Sequence, residues 1–150
     1  KYYIQRKEWE TAIRPNERTK GSYRQEDFRI LEEMGLIEFL EGDGKILEGI
    51  GVMETPGHTE HHQSALIESE GKKALFLGDL IPTPSHIPYP YIMGYDLFPL
   101  TTLTTKKKIL ARAYEEKWLL IFQHDPKVRM GYLKDIKGQF AVEALKEEDE

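Results

Sequence analysis

The sequence predicts a mixed α/β domain, with helices and short strands packed in layers (the α+β layered class). Short runs of β-branched and aromatic residues alternate with segments of helical composition along the chain. Histidine and aspartate residues able to do chemistry follow several of these runs directly, in loops. The length of 150 residues is that of one domain, so we expect a single domain over residues 1–150.

Composition excludes several classes of protein. The chain has no cysteine, which rules out a disulfide scaffold, a cysteine-ligated zinc finger, an iron–sulfur cluster and a cysteine nucleophile. The same absence fits a reducing compartment, so a cytoplasmic location is expected. The net charge of −5 argues against a nucleic-acid partner. No apolar run approaches the length of about 18 residues that a membrane span needs, so no membrane partner is expected either.

The first 54 residues are predicted to hold short strands and two short helices. Aromatic and β-branched residues indicate the strands, while Pro15 and Gly35 end the helical segments. An Asp-Gly turn within 41–44 predicts that 36–54 forms a hairpin or meander. The predicted elements are a strand at 2–5, a helix at 7–13, a loop at 16–23, a helix at 25–34, and strands at 36–40, 45–47 and 50–54.

The remainder of the chain surrounds a long segment rich in proline. Residues 80–99 contain five prolines together with three tyrosines and a phenylalanine, which predicts an ordered, packed loop without regular structure. Helical periodicity predicts a helix at 104–117. The other predicted elements are strands at 64–69, 73–77, 119–122, 128–136 and 138–144, and a frayed acidic end at 146–150.

Three candidate ligands each follow a predicted strand. His58, Asp79 and His124 would emerge along one edge if their strands belong to one sheet. Two imidazoles and a carboxylate suit Zn²⁺, Fe²⁺ or Mn²⁺. Each residue also has an ordinary explanation, since a histidine after a strand is commonly hydrogen-bonded and an aspartate there commonly forms a turn. Spacing alone leaves the choice open.

The surrounding sequence resembles a known family. Thr55-Pro56-Gly57-His58-Thr59-Glu60-His61-His62 is similar to the T-P-G-H-T-x-G-H motif of the metallo-β-lactamase superfamily. Gly78-Asp79 and Gln123-His124-Asp125-Pro126 stand where that family has its Gly-Asp and its last histidine. The resemblance implies part of an αββα sandwich, with a mixed sheet and flanking helices.

The resemblance also implies roles for these residues. His58 would bind the first metal and His124 the second, while Asp79 would bridge both ions and serve catalysis. A water or hydroxide held between the ions would attack an acyl or phosphoryl centre. Zinc is the implied metal, with iron or manganese as alternatives. His62 would stand behind the ligands, and His61 replaces the family's usual glycine; both are candidate substitute ligands.

The proline-rich loop offers further candidates. His86, Tyr89, Tyr91 and Tyr95 lie within it and could form one wall of a substrate pocket. Packing of the same residues against the body of the domain is the alternative, and the sequence does not separate the two.

One family motif is absent. The 150 residues contain no H-x-H-x-D-H run, whose residues would complete both metal sites. The remaining residues give each ion two protein ligands, below the three expected at a catalytic zinc. The chain is therefore expected to be a partial domain, the C-terminal portion of its fold, and inactive alone. Its missing half, or another copy in a homo-oligomer, is the expected partner.

The expected function is that of a metal-dependent hydrolase acting through a metal-bound hydroxide. Its substrate would be a small molecule, namely an ester, lactone or thioester, because the acidic charge argues against polyanionic substrates. Two alternatives remain: an iron-dependent redox member of the same fold, and a truncated domain without catalysis.

Overall fold

A computed structural model of the chain describes residues 1–145, and the predicted frayed end at 146–150 lies outside the described residues. These residues form a two-stranded sheet, a seven-stranded mixed sheet and flanking helices, which confirms the predicted mixed sheet with flanking helices. The small sheet and its helices are β1 (Tyr2–Gln5), α1 (Arg6–Ala12), α2 (Gln25–Glu33) and β2 (Ile37–Leu40). The remaining strands and α-helix are β3 (Gly44–Leu47), β4 (Ile50–Glu54), β5 (Gln63–Ser69), β6 (Lys72–Phe76), α3 (Pro99–Glu115), β7 (Leu119–Ile121), β8 (Met130–Ile136) and β9 (Gln139–Ala144). A short 3-10 helix, Pro84–His86, lies in the proline-rich loop, where no regular element was predicted.

The region predicted as one hairpin or meander divides between the two sheets. β3 and β4 form the predicted hairpin, whereas β2 pairs in parallel with β1. The Gln5 side chain fixes this division, because its amide donates to the carbonyl of Gly42 and accepts from the Gly42 N–H, at 2.9 and 2.8 Å. The meander prediction was therefore wrong for residues 36–40.

The helix α3 begins earlier than its apolar periodicity predicts. It starts at Pro99 instead of residue 104, with proline in the first turn, where its missing N–H costs nothing and its fixed φ suits the helix. The added turn carries Thr102, whose hydroxyl and backbone contact the segment before the helix. The threonine-rich start has low intrinsic helix propensity, so tertiary contacts determine this boundary.

Strand direction in the large sheet brings three loops to one edge. The strands follow the order β3-β4-β5-β6-β7-β8-β9, and β6 and β7 are parallel because α3 crosses between them. β4 runs in the same direction as β6, since each is antiparallel to β5. The carboxyl ends of β4, β6 and β7 therefore lie at the same edge of the sheet.

The core lies between α3 and one face of the large sheet. Trp118, Leu110, Leu75 and Leu120 are fully buried there, and the first turns of the proline-rich loop add Ile81 and Ile87. No helix within residues 1–145 is both long and apolar enough to cross a membrane.

The opposite face of the large sheet is apolar and partly open to solvent. Two rows of paired residues cross β4 to β8, and residues directly opposite one another share a face. The first row is Ile50, Ile67, Ala74, Leu119 and Tyr132. The second row is Val52, Ala65, Phe76, Ile121 and Met130. Ile50, Ile67 and Tyr132 are 40%, 39% and 39% exposed, so this face resembles an association surface.

We expect residues 1–150 to self-associate through this apolar face. Ile67→Lys should weaken association at least about tenfold, because burying an isoleucine contributes about 1.5–3 kcal/mol and a buried lysine has no partner there. Light scattering over a concentration series measures the change. Ile30→Lys on α2 is the control, since Ile30 is 49% exposed and lies off this face. A monomeric wild-type chain would contradict the expectation.

Candidate metal centre

His58, Asp79 and His124 meet at the shared edge of the large sheet. Asp79 lies three residues beyond Phe76 and His124 three beyond Ile121, and these two strand residues are direct partners. The Asp79 carboxylate lies between the two imidazoles. Its Oδ1 is 3.0 Å from Nε2 of His124, and its Oδ2 is 3.7 Å from Nε2 of His58.

His58 is oriented by a buried carboxylate. Asp96, whose side chain is 1% exposed, lies with Oδ1 3.0 Å from Nδ1 of His58. Its other oxygen accepts a hydrogen bond of 2.6 Å from the Thr102 hydroxyl. The hydrogen bond to Asp96 raises the pKa of His58; burial opposes this, and the Asp79 charge adds to it. This contact directs Nε2 of His58 toward Asp79.

The two residues directly before α3 also fix the backbone around His58. The N–H groups of Leu97 and Phe98 donate to the carbonyls of His58 and Gly57, at 3.0 and 2.9 Å. Gly57 has φ +143°, and a Cβ there would lie 2.5 Å from the Thr102 backbone, so only glycine fits. The glycine of the motif is explained by this close approach.

His62 stands behind Asp79. Its Nε2 accepts a hydrogen bond of 3.1 Å from the Asp79 N–H, so its proton belongs on Nδ1, which lies 2.8 Å from the Thr55 hydroxyl. Burial lowers the pKa of His62, which keeps the ring neutral and able to accept. Gly78 (φ +56°) makes room, because a Cβ there would lie 2.8 Å from Nε2 of His62. With both nitrogens engaged, His62 supports the Asp79 backbone.

His61 points to a different carboxylate. Its ring Nδ1 lies 2.9 Å from Oε1 of Glu54, and its backbone N–H donates to the Glu8 carboxylate at 3.2 Å. Within residues 1–145, the residues with positive φ other than glycine are Glu70, Lys117 and Lys137, so position 61 does not require glycine. The loop accommodates a histidine there without backbone strain.

His58, Asp79 and His124 together are called the donor row, and they help to line a cavity of about 840 Å³. His86 and Tyr95 of the proline-rich loop line this cavity, together with His58, His61 and His62. Tyr89 and Tyr91 do not line it. These two tyrosines border a separate pocket of about 220 Å³ beside Phe140, to which the Tyr89 ring packs edge-to-face. The structure thus brings two of the four loop candidates to the cavity, and packs Tyr89 against the domain.

The donor row has the right chemistry for a metal ion but too few ligands to complete its coordination. Each Asp79 oxygen faces one histidine, so each oxygen and its histidine are a possible pair of donors to one ion. Imidazole nitrogen and carboxylate oxygen are the donors that zinc, iron and manganese accept. Within residues 1–145, no three histidine, aspartate or glutamate side chains close around one point where an ion fits. Each ion would receive one histidine and one carboxylate oxygen.

Asp96 is the site residue that the sequence analysis missed. It contacts His58 across 38 positions, and no spacing rule connects the two. One signal was available, namely a single carboxylate within the apolar stretch Ile92 to Leu100. A charged residue in such a segment needs a buried partner.

Known proteins resemble this chain in sequence. The family model described as the metallo-beta-lactamase superfamily matches residues 3–128. An N-acyl homoserine lactonase of Bacillus thuringiensis subsp. kurstaki is 29% identical over 127 residues, covering 81% of this chain and 46% of that protein. An N-acyl homoserine lactonase of a Bacillus species is 30% identical with the same coverage. The chain spans about half the length of these curated relatives.

Solved structures resemble it in fold. A probable metal-dependent hydrolase from Staphylococcus aureus superposes with a TM-score of 0.85 at 25% identity, over 97% of this chain and 52% of that chain. An N-acyl homoserine lactone hydrolase with its product bound at the catalytic metal centre gives a TM-score of 0.63 at 26% identity, over 83% and 47%. A dizinc quorum-quenching lactonase, at 19% identity and a TM-score of 0.76 over 96% and 54%, shares the fold.

Asp96→Asn should lower the pKa of His58 toward its usual value. A neutral amide stabilises an imidazolium less than a carboxylate does, and the Asp96 hydrogen bond is the largest cause of the raised pKa. NMR titration of the His58 ring protons in metal-free buffer measures this. Asp125→Asn is the control, because its carboxylate accepts hydrogen bonds from the N–H groups of Lys127 and Val128 instead of from His58. An unchanged His58 titration in Asp96→Asn would refute the assignment.

Proposed function

The chain belongs to the metallo-β-lactamase superfamily, and from this we propose that it supplies metal ligands and a substrate cavity to a lactone-opening, metal-dependent hydrolase. The observation that carries the proposal is the Asp79 carboxylate, with one oxygen toward His58 and the other toward His124. The lactonase relatives support the substrate class, since a lactone is an internal ester. Because the chain spans half of those relatives, the activity belongs to the whole protein.

Each donor has a role in this proposal. His58 and His124 would each hold one ion, and Asp79 would bridge the pair, which keeps two like charges close together. Bound ions would lower the pKa of a water molecule and stabilise the negative charge that develops on the carbonyl oxygen. Zinc is the proposed metal, because it accepts this donor set and a relative of the same fold is a dizinc enzyme.

The surrounding residues hold these donors in place. Asp96 fixes the direction of His58, and His62 fixes the backbone that carries Asp79. Loss of such a supporting contact commonly lowers metal affinity or activity by about 10–100-fold. With these contacts in place, Nε2 of His58 and Nε2 of His124 each face an oxygen of Asp79.

The cavity supports a substrate that is mostly apolar. Ile4, Met93 and Leu97 line it together with the three donors. Such a cavity would take up an acyl group against its apolar side chains and leave the carbonyl to face the donors. Its volume of about 840 Å³ exceeds what a bare lactone ring needs, so the proposed substrate carries a substituent.

The donor count sets a condition on activity. A catalytic zinc takes three protein ligands, and residues 1–145 offer two to each ion. We therefore propose that further donors come from outside these residues, and that residues 1–150 alone do not turn over substrate. The second candidate function is that of a domain without catalysis, and the count of two ligands for each ion favours it.

Lactone hydrolysis by the full-length protein with added Zn²⁺ tests the proposal. Asp79→Asn and His124→Ala should each lower kcat/KM by about 100-fold or more, because each removes a metal contact. Acid release in a pH-stat follows the reaction, and metal analysis of the purified protein separates zinc from iron.

Asp135→Asn is the matched control for these variants. Its carboxylate caps the β8–β9 turn through the Gly138 N–H, far from the donor row, so activity should not change. Lactone turnover that is equal in wild type, Asp79→Asn and His124→Ala would overturn the proposed function.

A further inference from the structure

A buried lysine lies beneath the loop that walls the cavity. Lys106 of α3 is 1% exposed. Its Nζ donates to three backbone carbonyls of the proline-rich loop, those of His86, Pro88 and Tyr91, at 2.8, 3.0 and 2.8 Å. An ammonium group has three donors, so every one is used.

The loop itself meets only part of this demand, since the Tyr91 N–H donates to the Pro88 carbonyl at 3.0 Å. Pro88 and Pro90 have no N–H, so this stretch cannot form a regular hydrogen-bonded element. A buried carbonyl without a donor is costly, and a charged donor gives a stronger bond than a neutral one. Three carbonyls that converge on one cation therefore fix the path of the loop.

The charge of Lys106 has a nearby counterpart. Asp96 is also buried, and its negative charge acts on Lys106 across the first turns of α3. Thr102 binds Asp96 and lies one helical turn before Lys106. One side of α3 thus anchors both ends of the segment from His86 to Asp96.

We propose that Lys106 is a positioning residue for the substrate cavity, and that its ammonium group sets the shape of the wall between His86 and Asp96. This inference rests on the proposed function only in taking the cavity as the substrate site. The wall residues that it controls are His86, Met93 and Tyr95, all of which line the cavity. Lys106 itself does not line it, so its effect passes through the loop backbone.

Hydrogen–deuterium exchange of the wild-type chain and Lys106→Met tests the proposal without any need for activity. Methionine keeps most of the side-chain volume and removes the donors. Amides of residues 84–97 should exchange at least about tenfold faster, because three loop carbonyls lose the ammonium group that holds them together. Amides of β5 and β6 should not change. Lys108→Met is the control, since Lys108 is exposed on the same helix.

Chemical rescue separates a positioning role from a merely packed side chain. In Lys106→Ala, propylammonium should restore protection of residues 84–97, because it fills the vacated space and supplies three N–H donors. Tetramethylammonium at equal concentration should not, since it has the charge and lacks the donors. Should Lys106→Met fail to fold, the same pair of cations applied to folding of Lys106→Ala decides the matter.

The outcomes are distinct. Faster exchange confined to residues 84–97, with rescue by propylammonium alone, supports the proposal. Uniform acceleration across the chain, unchanged exchange, or rescue by both cations overturns it. Lactone hydrolysis by the full-length protein adds a separate readout: Lys106→Met should raise KM with little change in kcat. An inactive wild type would refute the proposed function and leave the exchange result standing.

Discussion

The buried carboxylate of Asp96 is the contact on which the arrangement of the site depends. It accepts from Thr102 on α3 and pairs with His58, so a helix on one side of the sheet directs a ring at the sheet edge. An ionised group with a 1% exposed side chain is tolerated only when it is fully hydrogen-bonded. Losing either partner would leave a costly buried charge. The loop before α3 therefore has one favourable path, and that path places His58.

The crossover through α3 provides the second constraint. It makes β6 and β7 parallel. Asp79 and His124 therefore each follow, by the same number of residues, two strand residues that are direct partners. The helix that produces this geometry also carries Thr102 and Lys106, which hold the cavity wall. Packing of α3 thus determines both where the donors stand and what lies above them. A single change in the position of this helix would move both.

The sequence predicted the elements well, and the contacts between distant elements less well. Alternation and turn residues predicted every strand from β4 to β9, because those signals are local. They did not predict that β2 would pair with β1 instead of β3. The contact between Gln5 and Gly42 that favours this pairing joins residues 37 positions apart. The positions of His58, Asp79 and His124 directly after predicted strands indicated one shared edge, where the structure brings them together. Asp96 and Lys106 carry no motif, because their roles exist only after a loop folds onto a helix.

The small number of metal donors and the open apolar face have separate physical origins, and both favour a further contact at this part of the sheet. Coordination chemistry requires more donors at the sheet edge than His58, Asp79 and His124 supply. The hydrophobic effect disfavours leaving the apolar face of the same sheet in water. The row from Val52 to Met130 on that face is the nearer of its two rows to this edge, because β4 and β6 both run toward the edge. A layer that covered this row and extended to the edge would lie beside the donors, so one contact could satisfy both requirements.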